Sequence, residues 1–221
     1  MKRDELPAAE RLRVTEIFHS LQGEADAVGW PTAFVRLTGC PLRCVWCDTA
    51  YAFQGGEWRT IAEVLAAVAA TGARRVCVTG GEPLAQPNCL PLLGRLCDAG
   101  HLVSLETSGA VDWTAVDARV SRVVDIKAPG SGESGRNLLE LLPQLAPTDQ
   151  VKFVLGDRGD YDWAAALVAR ERLAVRCAVL FSPVHGRLEA RELADWILED
   201  RLPVRFQLQL HKVLWGDARG R

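Results

Sequence analysis

The stretch "TAFVRLTGCPLRCVWCDTAY", residues 32–51, runs from β-branched and apolar residues into a loop that holds Cys40, Cys44 and Cys47. Residues 32–39 read as a strand ending at a glycine. The cysteines follow at once, in the pattern C-x3-C-x2-C. Chemistry-bearing residues just beyond a strand's carboxyl end are what a parallel α/β sheet provides.

The chain downstream repeats this order. "TIAEVLAAVAATG" reads as a helix, with a capping box at Thr60 and Glu63 and a stop at Gly72. "RRVCVTGG" is a strand, "CLPLLGRLCDAG" a helix and "LVSLETSG" a strand. "VSRVVDIKAPG" is a strand leading to a Gly/Ser loop, and "NLLELLPQLAP" a short helix disturbed by Pro143. "DQVKFVLG", "CAVLFSPVHG" and "PVRFQLQLHKVLWG" complete the strands, with helices over "DYDWAAALVARERL" and "EARELADWILED". Strand–helix alternation implies right-handed βαβ units. The expected fold is α/β, a partial (β/α) barrel with a mainly parallel sheet of six or seven strands, too few for the eight-stranded form. The segments after the strands should converge at the carboxyl ends. One domain over residues 1–221 is expected, with residues 1–12 frayed.

Composition fits a soluble globular protein. Hydrophobic residues make up 48% and charged residues 24%, and the net charge is −2. No overall positive field attracts nucleic acid. The longest apolar run is broken by Glu63, Gly72 and two arginines, so no membrane span is expected, and the N-terminus lacks the apolar core of a signal peptide. A cytoplasmic location is expected, where the seven cysteines stay reduced. Cys77, Cys89, Cys97 and Cys177 lie in apolar contexts and read as small packed hydrophobes.

The three clustered cysteines suit a soft metal. A zinc module needs a fourth ligand, and His19, upstream of a separate strand, and the distant histidines are poor candidates. A redox C-x2-C pair leaves Cys40 without a role. A 4Fe–4S cube held by three cysteines keeps one iron open, which a catalytic centre requires. Gln22 can donate and accept, Glu24 only accepts, and Arg36 suits a carboxylate, its strand neighbours Phe34, Val35 and Leu37 reading as buried. Gln209 and His211 alternate on the expected last strand and so share one face.

C-x3-C-x2-C after one strand, with "TGGEP" (Thr79 to Pro83) after the next, resembles the radical S-adenosylmethionine superfamily. "SLQGEADAVGWPTAFVRLTGCPLRCVWCDTAY" and the tail "HKVLWG" are similar to the 7-carboxy-7-deazaguanine synthase family, and the likeness runs from Phe18 to Trp215. Ala25 departs from the glycine expected after Q-G-E. The resemblance implies radical ring contraction of 6-carboxy-5,6,7,8-tetrahydropterin to 7-carboxy-7-deazaguanine, with loss of ammonia, in queuosine or other deazapurine biosynthesis. It implies a carbon–nitrogen lyase with a 4Fe–4S cluster, S-adenosylmethionine and Mg2+.

Residue roles carry over by position. Cys40, Cys44 and Cys47 would ligate the cluster, and Thr49 the magnesium ion. Leu21, Gln22, Gly23, Glu24, Arg36, Thr79, Gln209 and His211 would bind substrate. Trp46, Asp48, Gly81, Glu82, Glu106, Ser108, Asp125, Ile126, Lys127, Ser182, Pro183, Val184 and His185 would bind S-adenosylmethionine. The implied partners are a small pterin, an electron donor such as flavodoxin or ferredoxin, and a second copy in a homodimer, with no direct nucleic-acid or membrane contact. A glycyl-radical activase is the alternative within the superfamily, and a zinc-binding module the alternative outside it. The S-L-Q-G-E and W-C-D-T segments favour the small pterin.

Overall fold

A computed structural model describes residues 10–221. Its strands form one nine-stranded sheet in the order β3-β1-β2-β4-β5-β6-β7-β8-β9. The strands are β1 (Arg11–Leu21), β2 (Pro31–Leu37), β3 (Glu57–Thr60), β4 (Arg75–Gly80) and β5 (Leu102–Thr107). They continue with β6 (Ser121–Asp125), β7 (Gln150–Leu155), β8 (Ala178–Pro183) and β9 (Arg205–Phe206). From β2 through β4 to β9 every neighbouring pair is parallel. These are the seven strands read from the sequence. The two further strands, β1 and β3, pair antiparallel at one edge.

Alternation along each strand separates two environments. Val35, Val76, Val78, Leu105, Val124, Val151 and Phe153 pack into the main core with the helices. Their neighbours Phe34, Arg36, Thr79, Glu106, Asp125 and Lys152 turn to a cavity on the other face. Strand β1 serves both sides in turn. Leu12 and Val14 join the helix-side core. A bulge between Val14 and Glu16 then shifts the register, so that Glu16 faces Arg36 and Phe18 faces Phe34.

The helices follow from their caps and apolar stripes. Helix α1 (Ile61–Ala70) has the expected capping box, with Thr60 accepting from the Glu63 N–H and Glu63 accepting from the Thr60 N–H. It buries Ile61, Val64 and Val68. Helix α2 (Cys89–Asp98) buries Leu92, Leu93 and Leu96. Helix α3 (Arg158–Arg170) is capped by Asp157, and the one-turn α4 (Leu173–Arg176) follows it. Helix α5 (Ala190–Glu199) buries Leu193 and Ile197. Helix α6 (Leu210–Trp215) ends the chain's regular structure. Residues 139–144 form a 3-10 run with Pro143 inside it, consistent with a proline that has no N–H to give an α-helix. None of the helices among the described residues is long and apolar enough to cross a membrane.

Two expectations need correction. Of the residues read as frayed, 1–9 lie outside the described residues, but Arg11 and Leu12 open β1 and Leu12 is fully buried. The last strand stops at Phe206 rather than running on, because the chain turns away to bond the β1–β2 connection and then forms α6. Gln209 and His211 therefore sit at the start of a helix, not on one face of a strand.

Candidate active site

The strand ends, the cysteine loop and the tail enclose a cavity of about 530 Å³. Cys40, Cys44 and Cys47 line it, with Trp46, Asp48 and Thr49. The cysteine loop lies directly on the turn after β4. A Cβ on Gly81 would stand 2.4 Å from the Gly39 carbonyl oxygen and 2.6 Å from the Cys40 Cβ. Only a residue without a side chain fits between sheet and loop there. The Glu82 N–H donates to the Gly39 carbonyl at 2.8 Å, and the Val45 N–H to the Ser131 carbonyl at 3.0 Å, fixing the loop from two sides. Burial pushes the Cys44 thiol up to about 11 against the opposing charge of Lys127, and Cys40 is raised by burial too. Three soft thiols on one glycine-backed loop fit an iron–sulfur core, which displaces their protons on binding.

A second polar group approaches from the other end of β1. Residues 22–25 follow β1 and reach the segment that follows β9. The Ala25 N–H donates to Gln207 Oε1 at 2.8 Å, and Gln207 Nε2 donates back to the Ala25 carbonyl at 3.0 Å. Arg205 donates to the same carbonyl at 2.5 Å, and the Leu210 N–H to the Gly23 carbonyl at 2.9 Å. These bonds close the open side of the partial barrel with side chains in place of a strand pair. Ala25 holds a left-handed backbone at φ 64° while 2% exposed, so its departure from glycine is a strained one. Gly23 is needed for another reason: a Cβ there would stand 2.3 Å from His211 Nδ1.

Glu24 sits in this closing segment and accepts from Lys152 and, at 2.8 Å, from Gln209 Nε2. Lys152 Nζ is also 3.1 Å from Asp125, whose other oxygen is 3.0 Å from Lys127 Nζ. Burial alone would raise the Glu24 carboxyl. The charges of Lys152 and His211, with the bonds from Lys152 and Gln209, outweigh burial and hold it below the usual carboxylate range. Asp125 follows the same logic, its burial outweighed by Lys127 and Lys152. Burial also opposes the Lys152 charge, but Glu24 and Asp125 raise its pKa well above the usual lysine value. At the mouth, burial of Asp48 is outweighed by His211 and Lys212, 3.8 and 3.9 Å away, which hold its carboxyl at about 2.

The remaining contacts tie the two groups together. Glu106 accepts from Gln22 at 3.2 Å and from Thr79 at 3.3 Å, so its carboxylate organises the expected substrate side. Arg36 gives its Nε to Glu16 at 2.7 Å, and the Tyr51 hydroxyl donates to the same oxygen at 2.8 Å. Phe18 and Phe34 stack with centroids 4.8 Å apart and both line the cavity.

Most of the expected residues meet in this one space. Leu21, Gln22, Gly23, Glu24, Arg36, Thr79, Gln209 and His211 line it, as do Gly81, Glu106, Ser108, Asp125, Lys127, Val184 and His185. Glu82, Ile126, Ser182 and Pro183, also expected at the cofactor, lie outside this lining. Glu82 is fully buried behind the wall, where it accepts from Leu84 N–H at 2.9 Å, Ser108 N–H at 2.6 Å, Ser108 Oγ at 2.5 Å and Thr107 Oγ1 at 3.0 Å. Its partner Ser108 lines the cavity. Ile126 belongs to the helix-side core, and Ser182 and Pro183 are buried at the end of β8. The sequence reading missed Lys152, Glu16 and Gln207. A lone lysine in the apolar run "QVKFVL" was the available signal for the first.

Comparison with known proteins agrees with this geometry. The Radical SAM superfamily, whose members use a 4Fe–4S cluster and S-adenosylmethionine, matches residues 34–125. A 7-carboxy-7-deazaguanine synthase of Chlorobaculum tepidum is 46% identical over 213 residues, covering 95% of this chain and 97% of that protein. The Koribacter versatilis 7-carboxy-7-deazaguanine synthase is 42% identical and covers 92% and 97% respectively. Among solved structures, QueE from Escherichia coli superposes with a TM-score of 0.75 at 25% identity, over 91% of this chain and 95% of that one. The cavity, the cysteine loop and these likenesses over nearly the whole length place the chain in the 7-carboxy-7-deazaguanine synthase family of radical S-adenosylmethionine enzymes.

Proposed function

We propose that the protein converts 6-carboxy-5,6,7,8-tetrahydropterin to 7-carboxy-7-deazaguanine with release of ammonia, as a lyase of deazapurine biosynthesis. The observation that carries the reading is that one cavity holds both the three-thiol loop and the Gln22, Glu24 and Arg36 set. Cys40, Cys44 and Cys47 would hold the 4Fe–4S cluster. The bound cluster and S-adenosylmethionine supply a radical able to take a hydrogen from the pterin. This chain's own residues bind, orient and exclude water.

Glu24, Gln22 and Gln209 would take the pterin's amide and amine edge, with Gly23 allowing His211 to approach. Arg36, with Nε fixed by Glu16, would turn its remaining N–H groups to the substrate carboxylate. Thr49 would supply a neutral oxygen to Mg2+, with substrate and water completing the shell. Trp46, Asp48, Gly81, Ser108, Asp125, Lys127, Val184 and His185 would border S-adenosylmethionine. Flavodoxin or ferredoxin as electron donor, a homodimer and a cytoplasmic setting complete the proposal.

The test is anaerobic reconstitution with iron and sulfide, then assay with the carboxytetrahydropterin, S-adenosylmethionine and Mg2+. Stoichiometric ammonia and 7-carboxy-7-deazaguanine are expected. A reconstituted protein that cleaves S-adenosylmethionine but leaves the pterin unchanged would overturn the assignment.

A further inference from the structure

Lys152 is the only charged residue of β7. Its neighbours Val151 and Phe153 face the helix-side core, while its own side chain enters the cavity with 8% exposure. The ammonium bonds Glu24 on one side and lies 3.1 Å from Asp125 on the other. Glu24 belongs to the segment that closes the barrel. Asp125 ends β6 beside Lys127, near the cysteine loop. One buried cation therefore joins the two ends of the cavity.

An isolated carboxylate buried this deeply would take up a proton. Protonated, it offers a donor and becomes a weaker partner for N–H groups; ionised, it only accepts. The proposed substrate presents N–H groups at its amide edge, so the site needs Glu24 charged. Gln209 fixes one Glu24 oxygen at 2.8 Å, and Lys152 fixes the other. We propose that Lys152 is a positioning residue for the ring contraction, holding Glu24 ionised and aimed so that it accepts the paired N–H groups of the pterin. This rests on the reading of Glu24 as a pterin ligand.

Other charged groups bear on Glu24 from the surrounding elements: His211 from α6 directly, and Asp125 on β6 and Glu106 on β5 through the shared lysine. Lys127 lies beyond Asp125, and Asp48 beside His211. The neutral partners are Gln209, which donates to the carboxylate, and Gln22, whose Oε1 accepts from the Glu24 main-chain N–H. His211 is present in every variant below, so comparing them isolates the lysine.

The experiment measures binding of 6-carboxypterin, which has no hydrogen at C6 to lose, to the anaerobically reconstituted holoenzyme by titration calorimetry. Lys152→Arg keeps a cation and should follow the wild-type pH profile. Lys152→Gln keeps hydrogen-bonding capacity but no charge. Its Glu24 pKa rises above the wild-type value, so the binding-competent carboxylate is present above that value and lost as pH falls through it. Its dissociation constant should therefore rise at least about tenfold more than that of Lys152→Arg between about pH 7.5 and pH 5.5. Equal profiles for the two variants would overturn the proposal, whatever the size of a uniform loss. If Lys152→Gln does not fold, Lys152→Gln with Asp125→Asn removes one charge of each sign and should show the same acid weakening. Glu24→Gln separates the underlying reading: wild-type binding in that variant rejects Glu24 as a pterin ligand, independently of the Lys152 comparison.

Discussion

The cysteine loop and the closing seam bound the same cavity but are built in opposite ways. The loop draws its three thiols from eight consecutive residues, and its tightest support, Gly81, lies on the turn just after the adjacent strand β4. The seam joins residues 23–25 to residues 205–210, and its strongest links run from side chains to main chain. A loop of this kind concentrates function in few atoms. A seam of this kind spreads geometry over several bonds. Single changes in the loop should therefore be all-or-nothing, and single changes in the seam graded.

Cys44→Ala tests the first half of that contrast most severely. It should abolish turnover and lower bound iron after reconstitution, read by iron assay and visible absorbance. Full iron content would remove Cys44 from the ligand set. Gly81→Ala comes next. Its new methyl meets main-chain atoms of Gly39, which cannot swing aside, so a loss of about 1–3 kcal/mol is expected by urea denaturation. Cluster loading should fall with it.

Gln207→Ala probes the seam. It leaves the buried Ala25 N–H without its acceptor, while Arg205 still serves the Ala25 carbonyl. The expected cost is about 1–3 kcal/mol, with activity reduced but retained. Abolished turnover in a folded variant would make the seam as indispensable as the loop. Ala25→Gly should have the smallest effect. Relief of the left-handed backbone gains about 1–2 kcal/mol, against about 0.8 kcal/mol for the lost methyl burial and a further entropic loss. The terms nearly cancel, so a net change within about 1 kcal/mol of zero is expected from paired melting curves.

The same contrast explains what could be read from the sequence. The loop was legible because its ligands, strand and glycines are local. So was α1, whose Thr60 and Glu63 cap each other within one turn. Strand β1 was not singled out because its bulge breaks the alternation: Leu12 and Val14 face the core, then Ile17 does, one position out of step. The end of β9 is not legible because "RFQLQLH" alternates as a strand would, yet Gln207 and Gln209 are spent on Ala25 and Glu24. Lys152 is not legible because a lysine in an apolar strand has a role only through Glu24 and Asp125, which are distant in sequence. Glu82 stands in the matched G-G-E-P motif, but its hydrogen-bond partners cannot be read from that motif. They come from Ser108 and Thr107, at the end of β5, and from the Leu84 N–H.

The bulge in β1 has a consequence of its own. In a lattice of period two, one additional residue is half a wavelength. Upstream of it the strand is in phase with the helix layer, and downstream it is in phase with the reaction chamber. One strand thus belongs to two compartments. Losing a single residue between Val14 and Glu16 would turn Phe18 out of the cavity and the carboxylate of Glu16 away from Arg36, without altering the chemistry of any side chain that remains.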